Sequence, residues 1–310
     1  MNKEDVYIII PVHNRKEITL KCLDALQQNG DLDKYCIVVV DDGSTDSTSE
    51  AIKSLYPDVI ILTGDGNLWW TGAIAMGMKY AYERDAEYFI WLNNDCLVSS
   101  NVFDTLVVFC QNNPSSIIGS QGREIQNPKN ISFGGKNKYG ISYRIINCPH
   151  DQIIQCDLLS GNLVCISRSV VKKIGYPEHK LVPHYGGDSH YLIKARLSGF
   201  KIFIDNHHLI FNLCGESEMS PQRWLLKKGK PLDIMNLLFN RYSLYSWRVW
   251  LTLNQTEYGK LIGTFIFIFH YMTHFVIPIF VISLLRFLPF STRNYLSRFK
   301  QKIMNCKKNL

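Results

Sequence analysis

Nine cysteines are scattered through 310 residues without one C-x-x-C pair. Neither a zinc site nor a disulfide framework is therefore expected, and free thiols in a reducing compartment are. No long apolar core follows the opening Met-Asn-Lys-Glu-Asp, so a signal peptide is not expected and the bulk of the chain reads as cytosolic. The fingerprint G-x-G-x-x-G is missing, because the first apolar run ends in Pro-Val-His-Asn-Arg. That absence argues against a nicotinamide oxidoreductase. A Walker-type loop is missing too, so any phosphate held here needs another counter-charge. Acid is scarce at one end. Residues 221–310 carry 14 basic and 2 acidic side chains, a net of +12, against 20 and 25 in residues 1–220, a net of −5. The basic third calls for an anionic partner or surface. Nucleic acid is not expected to be that partner, since no nucleic-acid-binding fold is recognisable.

What is present suits a packed enzyme. Hydrophobic residues make up 46% and charged residues 20%, which excludes disordered and collagen-like chains. Val6–Val12, Cys36–Val40, Val59–Leu62 and Tyr88–Leu92 are continuous apolar runs, the signature of strands buried on both faces. Between them, helical spacing is expected over Lys16–Gln28, from a Ser47/Glu50 capping box to Leu55, and over Ala73–Arg84. Strands and helices alternating at this pace predict an α/β fold with a mostly parallel central sheet. Short β-like runs follow at Ile131–Phe133, Ile153–Leu158 and Leu163–Ile166, then a helix over Ser167–Ile174. A loop over Tyr176–Gly187 runs into Asp188 and a helix through Leu197. No internal repeat is visible.

In open α/β sheets, ligands bind outside the carboxyl ends of the strands. Four such ends carry polar clusters: His13–Asn14–Arg15, Asp41–Asp42–Gly43–Ser44, Gly64–Asp65–Gly66–Asn67 and Asn93–Asn94–Asp95. Singly each reads as a turn; four at successive strand ends read as a site. Without a glycine cradle, a carboxylate-held divalent cation is the natural counter-charge for phosphate, with Asp95 as its hard oxygen ligand.

The runs I-I-I-P-V-H-N-R, V-V-V-D-D-G-S-T-D and F-I-W-L-N-N-D, with L-L-S-G-N-L-V-C-I-S-R and Y-G-G-D-S-H-Y-L further on, resemble a family 2 glycosyltransferase of the GT-A fold. The resemblance covers roughly residues 5–215, and Gly66–Asn67–Leu68–Trp69–Trp70–Thr71–Gly72 is similar to bacterial rhamnosyltransferases. It implies an inverting transfer from a nucleoside-diphosphate sugar, dTDP-rhamnose among the donors, aided by Mg²⁺ or Mn²⁺. Asp42 matches the position that hydrogen-bonds the pyrimidine base. Pro11, His13 and Arg15 lie on the loop that wraps the nucleotide, and Asn67 joins the nucleotide-binding set. Asn93–Asn94–Asp95 falls on the D-x-D motif, whose last acid binds the metal. Only that acid is retained here. Asp188 matches the catalytic base, although Gly-Asp stands where the family more often has Glu-Asp. Asp188 could also act as a helix N-cap.

Other residues are weighed and set lower. Trp69 and Trp70 could stack on the donor or pack in the core. His184 and His190 flank the base. His207–His208 lie near the place where relatives put a metal-binding histidine, which falls on Asn212. Gln222–Arg223–Trp224 lacks the spacing of the Q-x-x-R-W of processive synthases.

Beyond Pro221 only helices are expected, the first over Ile234–Leu253. Leu261–Leu285 is 25 residues without a formal charge, as one helix roughly 37 Å long, with Pro278 as a kink point. Basic residues on both flanks disfavour a single crossing. The expectation is a membrane-associated helical extension, lying in or re-entering the bilayer at the cytoplasmic face. The division is a catalytic domain over 1–220 and a helical extension over 221–310. The acceptor is expected to be a lipid-linked or membrane-proximal glycan of surface polysaccharide. A sugar-nucleotide-binding scaffold without catalysis and a processive synthase are the alternatives.

Overall fold

The computed structural model describes residues 2–213 and 221–298, apart from the side chains of 221–223. The chain forms two compact units, Met1–Gly215 and Glu216–Leu310.

The first unit is built on an eight-stranded sheet. Its strands are β1 Val6–Val12, β2 Cys36–Asp41, β3 Ile60–Thr63, β4 Tyr88–Leu92, β5 Ser116–Ser120, β6 Ile153–Cys156, β7 Leu163–Ser167 and β8 Lys201–Asp205. They lie in the order β6-β8-β5-β7-β4-β1-β2-β3. β3, β2, β1 and β4 are mutually parallel, as are β5 and β8; β7 runs antiparallel between β4 and β5. Val6, Ile8, Ile10, Val38, Val39, Val40, Ile90 and Leu92 are all buried. Each such side chain is worth roughly 1.5–3 kcal/mol on leaving water, which makes these runs strands with both faces covered. The chain steps outward from β1 through β2 to β3, and β4 returns to the opposite side of β1. That reversal opens a crevice at the carboxyl ends of β1 and β4.

Helices α1 Lys16–Gln28, α2 Thr48–Leu55, α3 Trp69–Tyr82, α4 Val102–Asn112 and α5 Gly187–Leu197 occur in this unit. Two starts differ from expectation. The Ser47/Glu50 capping box does not form, because Ser47 adopts a left-handed conformation (φ 60°) and its side chain caps nothing. Asp46 instead accepts hydrogen bonds from the Lys16 N–H and the Thr48 hydroxyl. Helix α3 begins at Trp69, four residues before the apolar periodicity suggests, for a reason given below.

The second unit is helical: Pro221–Leu226, Trp247–Tyr258, and a continuous run over Lys260–Leu285 with a π-helical turn at Met272–Val276. That turn directly precedes the helical segment containing Pro278, and it accommodates a ring that cannot donate to the preceding turn. The single helix expected over Ile234–Leu253 is broken. Asn240 Oδ1 accepts from the Tyr242 N–H and Ser243 Oγ accepts from the Tyr245 N–H. These short side chains offer the backbone a turn in place of the helix. Trp224, Ile234, Leu238, Tyr245, Tyr271 and Ile279 form this unit's own core.

Candidate active site

The crevice at the switch point is assembled from backbone outward. Asn14 and Arg15, at the end of β1, take left-handed conformations (φ 55° and 65°), the strain polar loop residues accept at functional turns. Their turn is tied to the end of β2: the Asn14 N–H donates to Ser44 Oγ (2.7 Å), and the Thr45 N–H donates to Asn14 Oδ1 (2.9 Å). His13 Nδ1 lies 2.6 Å from the Asp42 carbonyl oxygen. A carbonyl can only accept, so Nδ1 carries the proton. Pro11 sits within β1 opposite Val40.

Arg15 reaches across the switch point, its Nη1 3.4 Å from Asp95 Oδ2. Asp95 is 9% exposed, and its Oδ1 is buried without a hydrogen-bond partner. A buried polar oxygen without a partner is costly. No cluster of three His, Cys, Asp or Glu side chains suited to a metal occurs among the described residues. One buried carboxylate with an open oxygen still fits Mg²⁺ or Mn²⁺, because such ions are held by one or two carboxylates plus substrate phosphates and water. His207 and His208 are turned elsewhere, toward Asp205 and Thr105. Asn212 does lie beside this loop, opposite Cys96, and the next N–H, that of Leu213, donates to the Asp95 carbonyl (2.8 Å).

The two asparagines of the triplet diverge. Asn94 is buried, and its amide donates to Thr19 Oγ1 (2.9 Å), so it fastens β4 to α1 and does not face the crevice. Asn93 Oδ1 accepts from the Trp70 indole N–H (2.8 Å), and its own N–H donates to the Asn162 carbonyl (2.9 Å). Through residues 161–162 the chain passes directly to Asp188. The Gly161 N–H donates to Asp188 Oδ2 (2.9 Å), while Asp188 Oδ1 accepts from the Ser189 N–H (2.7 Å). Asp188 is half-buried in the first turn of α5, behind Gly186 at the N-cap position, so its carboxylate is not that cap. A Cβ on Gly161 would lie 2.7 Å from the Trp70 ring and 2.8 Å from Asp188 Cβ. A Cβ on Gly187 would meet Thr71 Oγ1 at 1.9 Å, so only glycine lets α5 approach α3 this closely.

Asp42 does something sequence alone does not suggest. It is 3% exposed, and its carboxylate accepts three backbone N–H groups: Gly66 (2.8 Å) and Leu68 (3.1 Å) on Oδ1, Trp69 (2.8 Å) on Oδ2. A carboxylate at a helix N-terminus satisfies orphan donors and complements the macrodipole; this is why α3 starts at Trp69. A nucleotide base reaching Asp42 would have to share or displace these donors. Asn67 is exposed, its N–H held by Asp65 Oδ1 (2.9 Å).

Aromatic groups wall the crevice. Trp70 stands edge-on to buried Trp91 (5.4 Å between centroids), and Trp69, 38% exposed, leans on His184 at 5.1 Å. Burial pushes the His184 imidazole down to about 4; the Asp188 charge opposes this shift and the Arg15 charge adds to it. His184 is therefore neutral at neutral pH and sits within the electrostatic reach of both predicted site charges. His190 is buried and its imidazole is also lowered by burial. Trp70 and His184, set lower in the sequence reading, are thus structural parts of the site, together with Gly161 and Thr71, which only the S-G-N triplet and the Trp-Trp-Thr stretch signalled. A separate apolar pocket of about 520 Å³, between α3 and residues 176–181, is lined by none of the predicted site residues.

Comparison with known proteins identifies the family and the fold. Residues 7–174 match the family described as glycosyl transferase family 2. Poly(ribitol-phosphate) beta-glucosyltransferase of Bacillus spizizenii is 30% identical over 117 residues, 36% of this chain and 18% of that protein. An uncharacterised protein of Methanocaldococcus jannaschii is 35% identical over 81 residues, 26% of this chain and 31% of its own length. The matched stretches thus span less than a third of either curated relative. Among solved structures, GalNAc-T7 with UDP, GalNAc and Mn²⁺ superposes with a TM-score of 0.54 at 13% identity, covering 88% of this chain and 57% of that one. Residues 1–349 of S. aureus TarS, in complex with UDP-GlcNAc, give 0.51 at 16% identity, covering 86% and 73%. These likenesses show the fold. With the family match extending over more than half its residues, the chain belongs to glycosyl transferase family 2 and is a glycosyltransferase of the GT-A fold.

Proposed function

We propose that this chain is an inverting, metal-dependent transferase that moves a sugar from a nucleoside diphosphate to a hydroxyl of a lipid-linked or membrane-proximal glycan in surface polysaccharide assembly. The observation that carries the reading is the pairing of two differently furnished carboxylates at one switch point. Asp95 has a buried, unpartnered oxygen beside Arg15, and Asp188 is held by the Gly161 and Ser189 N–H groups.

In the proposed reaction the acceptor oxygen attacks the anomeric carbon, the new carbon–oxygen bond forms, and the bond to the diphosphate breaks with its electron pair. The acceptor proton passes to the Asp188 carboxylate, whose two N–H donors fix its orientation for general-base work. Arg15 adds a cation at the diphosphate end. A divalent ion held by Asp95 would supply further charge to the leaving group. A separate base, held by the Gly161 and Ser189 N–H groups, supports single displacement, hence inversion.

The donor reading rests on two supports. The TarS and GalNAc-T7 structures contain UDP-GlcNAc and UDP respectively, and the Gly66–Gly72 stretch resembles rhamnosyltransferases, which suggests dTDP-rhamnose. A panel of UDP-, dTDP- and GDP-sugars, with and without Mn²⁺, tests them by thermal shift. Metal-dependent stabilisation by one nucleotide series is expected; stabilisation by none sinks the donor assignment. With the selected donor, Asp188→Asn should lower turnover at least about 10²-fold while leaving the donor-induced shift intact. Unchanged turnover would remove Asp188 from the role of base.

A further inference from the structure

The second unit carries an apolar face that nothing in its own fold covers. The helical run Lys260–Leu285 has two sides. One packs inward: Tyr271 and Ile279 are buried in the unit's core, and the Tyr271 hydroxyl donates to the Tyr245 carbonyl oxygen (2.5 Å). A Cβ on Gly263 would strike the Asn254 carbonyl oxygen at 2.3 Å, so this helix and Trp247–Tyr258 are in backbone contact. The other side bears Leu261, Phe265, Phe269, Phe280 and Leu284, with Phe287 just past the helix end, each between 49% and 72% exposed. Their spacing of three and four residues within each half places them along one stripe. Only 17% of the most apolar window of this helix is buried. At 1.5 Å per residue the stripe is roughly 39 Å long, and large contiguous apolar surfaces mark contact with something else.

Charge identifies the partner. Lys260 is exposed at one end. At the other, the Arg286 guanidinium donates to the Lys227 carbonyl oxygen (3.3 Å) and that of Arg293 to the Leu225 carbonyl oxygen (3.0 Å). Exposed Lys227, Lys228 and Lys230, more than fifty residues away in sequence, are thereby gathered where the stripe ends. Residues 221–310 carry a net +12, and Asp233 and Glu257 are their only acids. A second copy seated on the stripe would set +12 against +12. An apolar slab with an anionic rim matches both features.

We propose that this face docks in the plane of an anionic phospholipid bilayer, with the stripe at the headgroup–acyl boundary and the exposed Lys227, Lys228, Lys230 and Lys260 on lipid phosphates. The helix lies along the bilayer and does not cross it. Crossing would carry Lys260 or Arg286 through the hydrocarbon and would strip the helix from the neighbour held at Gly263 and Tyr271. Binding to membrane needs neither donor nor acceptor, so the inference stands or falls apart from the transfer reaction.

Flotation of the full chain with phosphatidylcholine vesicles containing 30% phosphatidylglycerol, against pure phosphatidylcholine, is the test. Co-flotation with the anionic vesicles, weakened in the pure lipid and at 0.5 M salt, is expected. Each exposed phenylalanine contributes on the order of tenfold in partitioning, so Phe265→Ser/Phe269→Ser should weaken binding at least about tenfold with an unchanged circular dichroism spectrum. Lys227→Glu/Lys228→Glu/Lys230→Glu, far from the stripe's centre, should abolish the preference for anionic lipid. No flotation at any lipid composition, or wild-type flotation of the phenylalanine variant, overturns the proposal. So does a concentration-dependent dimer lost in the same variant without vesicle binding. Retention on vesicles after carbonate washing would replace the in-plane helix with a spanning one.

Discussion

Replacing Asp42 by asparagine is the sharpest probe of how the first unit holds its site. Asparagine preserves shape and one acceptor oxygen. With that oxygen facing Gly66 and Leu68 (2.8 and 3.1 Å), the new NH₂ group points at the Trp69 N–H, 2.8 Å from where an acceptor stood. The opposite rotamer is worse, since it opposes two donors in place of one. One charge-assisted hydrogen bond, about 1.5–3 kcal/mol, is lost. The N-terminus of α3 also loses its anion, worth roughly 0.3–1 kcal/mol. The expected loss is therefore about 2–4 kcal/mol, concentrated at residues 64–70. Urea denaturation should register it as a lower midpoint with unchanged slope. Hydrogen exchange should register it locally: opening made easier by about 2 kcal/mol speeds exchange of the Gly66, Leu68 and Trp69 amides roughly 30-fold. Exchange at wild-type rates with a stability change under about 0.5 kcal/mol would show that Asp42 does not hold this loop. UDP added to the wild type asks the converse question. Deprotection of the Trp69 amide on binding would mean that the base takes Asp42 from the loop; undiminished protection would mean that the loop keeps it.

Two further outcomes follow from contacts at Asp188. Gly161→Ala puts a methyl 2.7 Å from Trp70 and 2.8 Å from Asp188 Cβ. Displacing the carboxylate by even 1 Å should cost about 10²-fold in kcat, with donor affinity kept; full turnover would mean that the position of Asp188 is not critical. His184 is half-buried and neutral, its imidazole down at about 4, so the unfolded chain, with an ordinary value near 6.5, binds the extra proton. Stability should hold above pH 6.5 and fall as pH drops from there toward 4, by up to ~3 kcal/mol. His184→Gln should flatten that part of the curve, and parallel wild-type and variant curves would refute the assignment.

Much of the parallel sheet is legible in the sequence because a strand covered on both faces must be apolar throughout, as Val6–Val12 and Cys36–Asp41 are. The crevice is legible for a related reason: polar clusters following such runs can only lie at strand ends. Partnership over long sequence separations is what escapes. Asp42 looks like a free turn residue because its donors arrive 24 to 27 residues later. Asn94 looks like a site residue because nothing local reveals Thr19, 75 positions away, beneath it. The antiparallel placement of β7 between β4 and β5 leaves no local mark either, since a buried strand reads the same in both directions. In the second unit the break after Phe239 is local, but Asn and Ser in an amphipathic pattern resemble a helix's polar face until their hydrogen bonds are seen.

The short segment 160–162 holds its neighbours almost wholly by main chain: the Ser160 N–H donates to the Gly134 carbonyl, the Gly161 N–H to Asp188, and the Asn162 carbonyl accepts from Asn93. A register set by backbone atoms is indifferent to most side chains at 160 and 162 but intolerant of a change in length. Lineages and engineered libraries should therefore drift freely in residue type at those two positions while insertions and deletions there are purged. Attempts to reshape the crevice by varying loop length belong elsewhere on this scaffold.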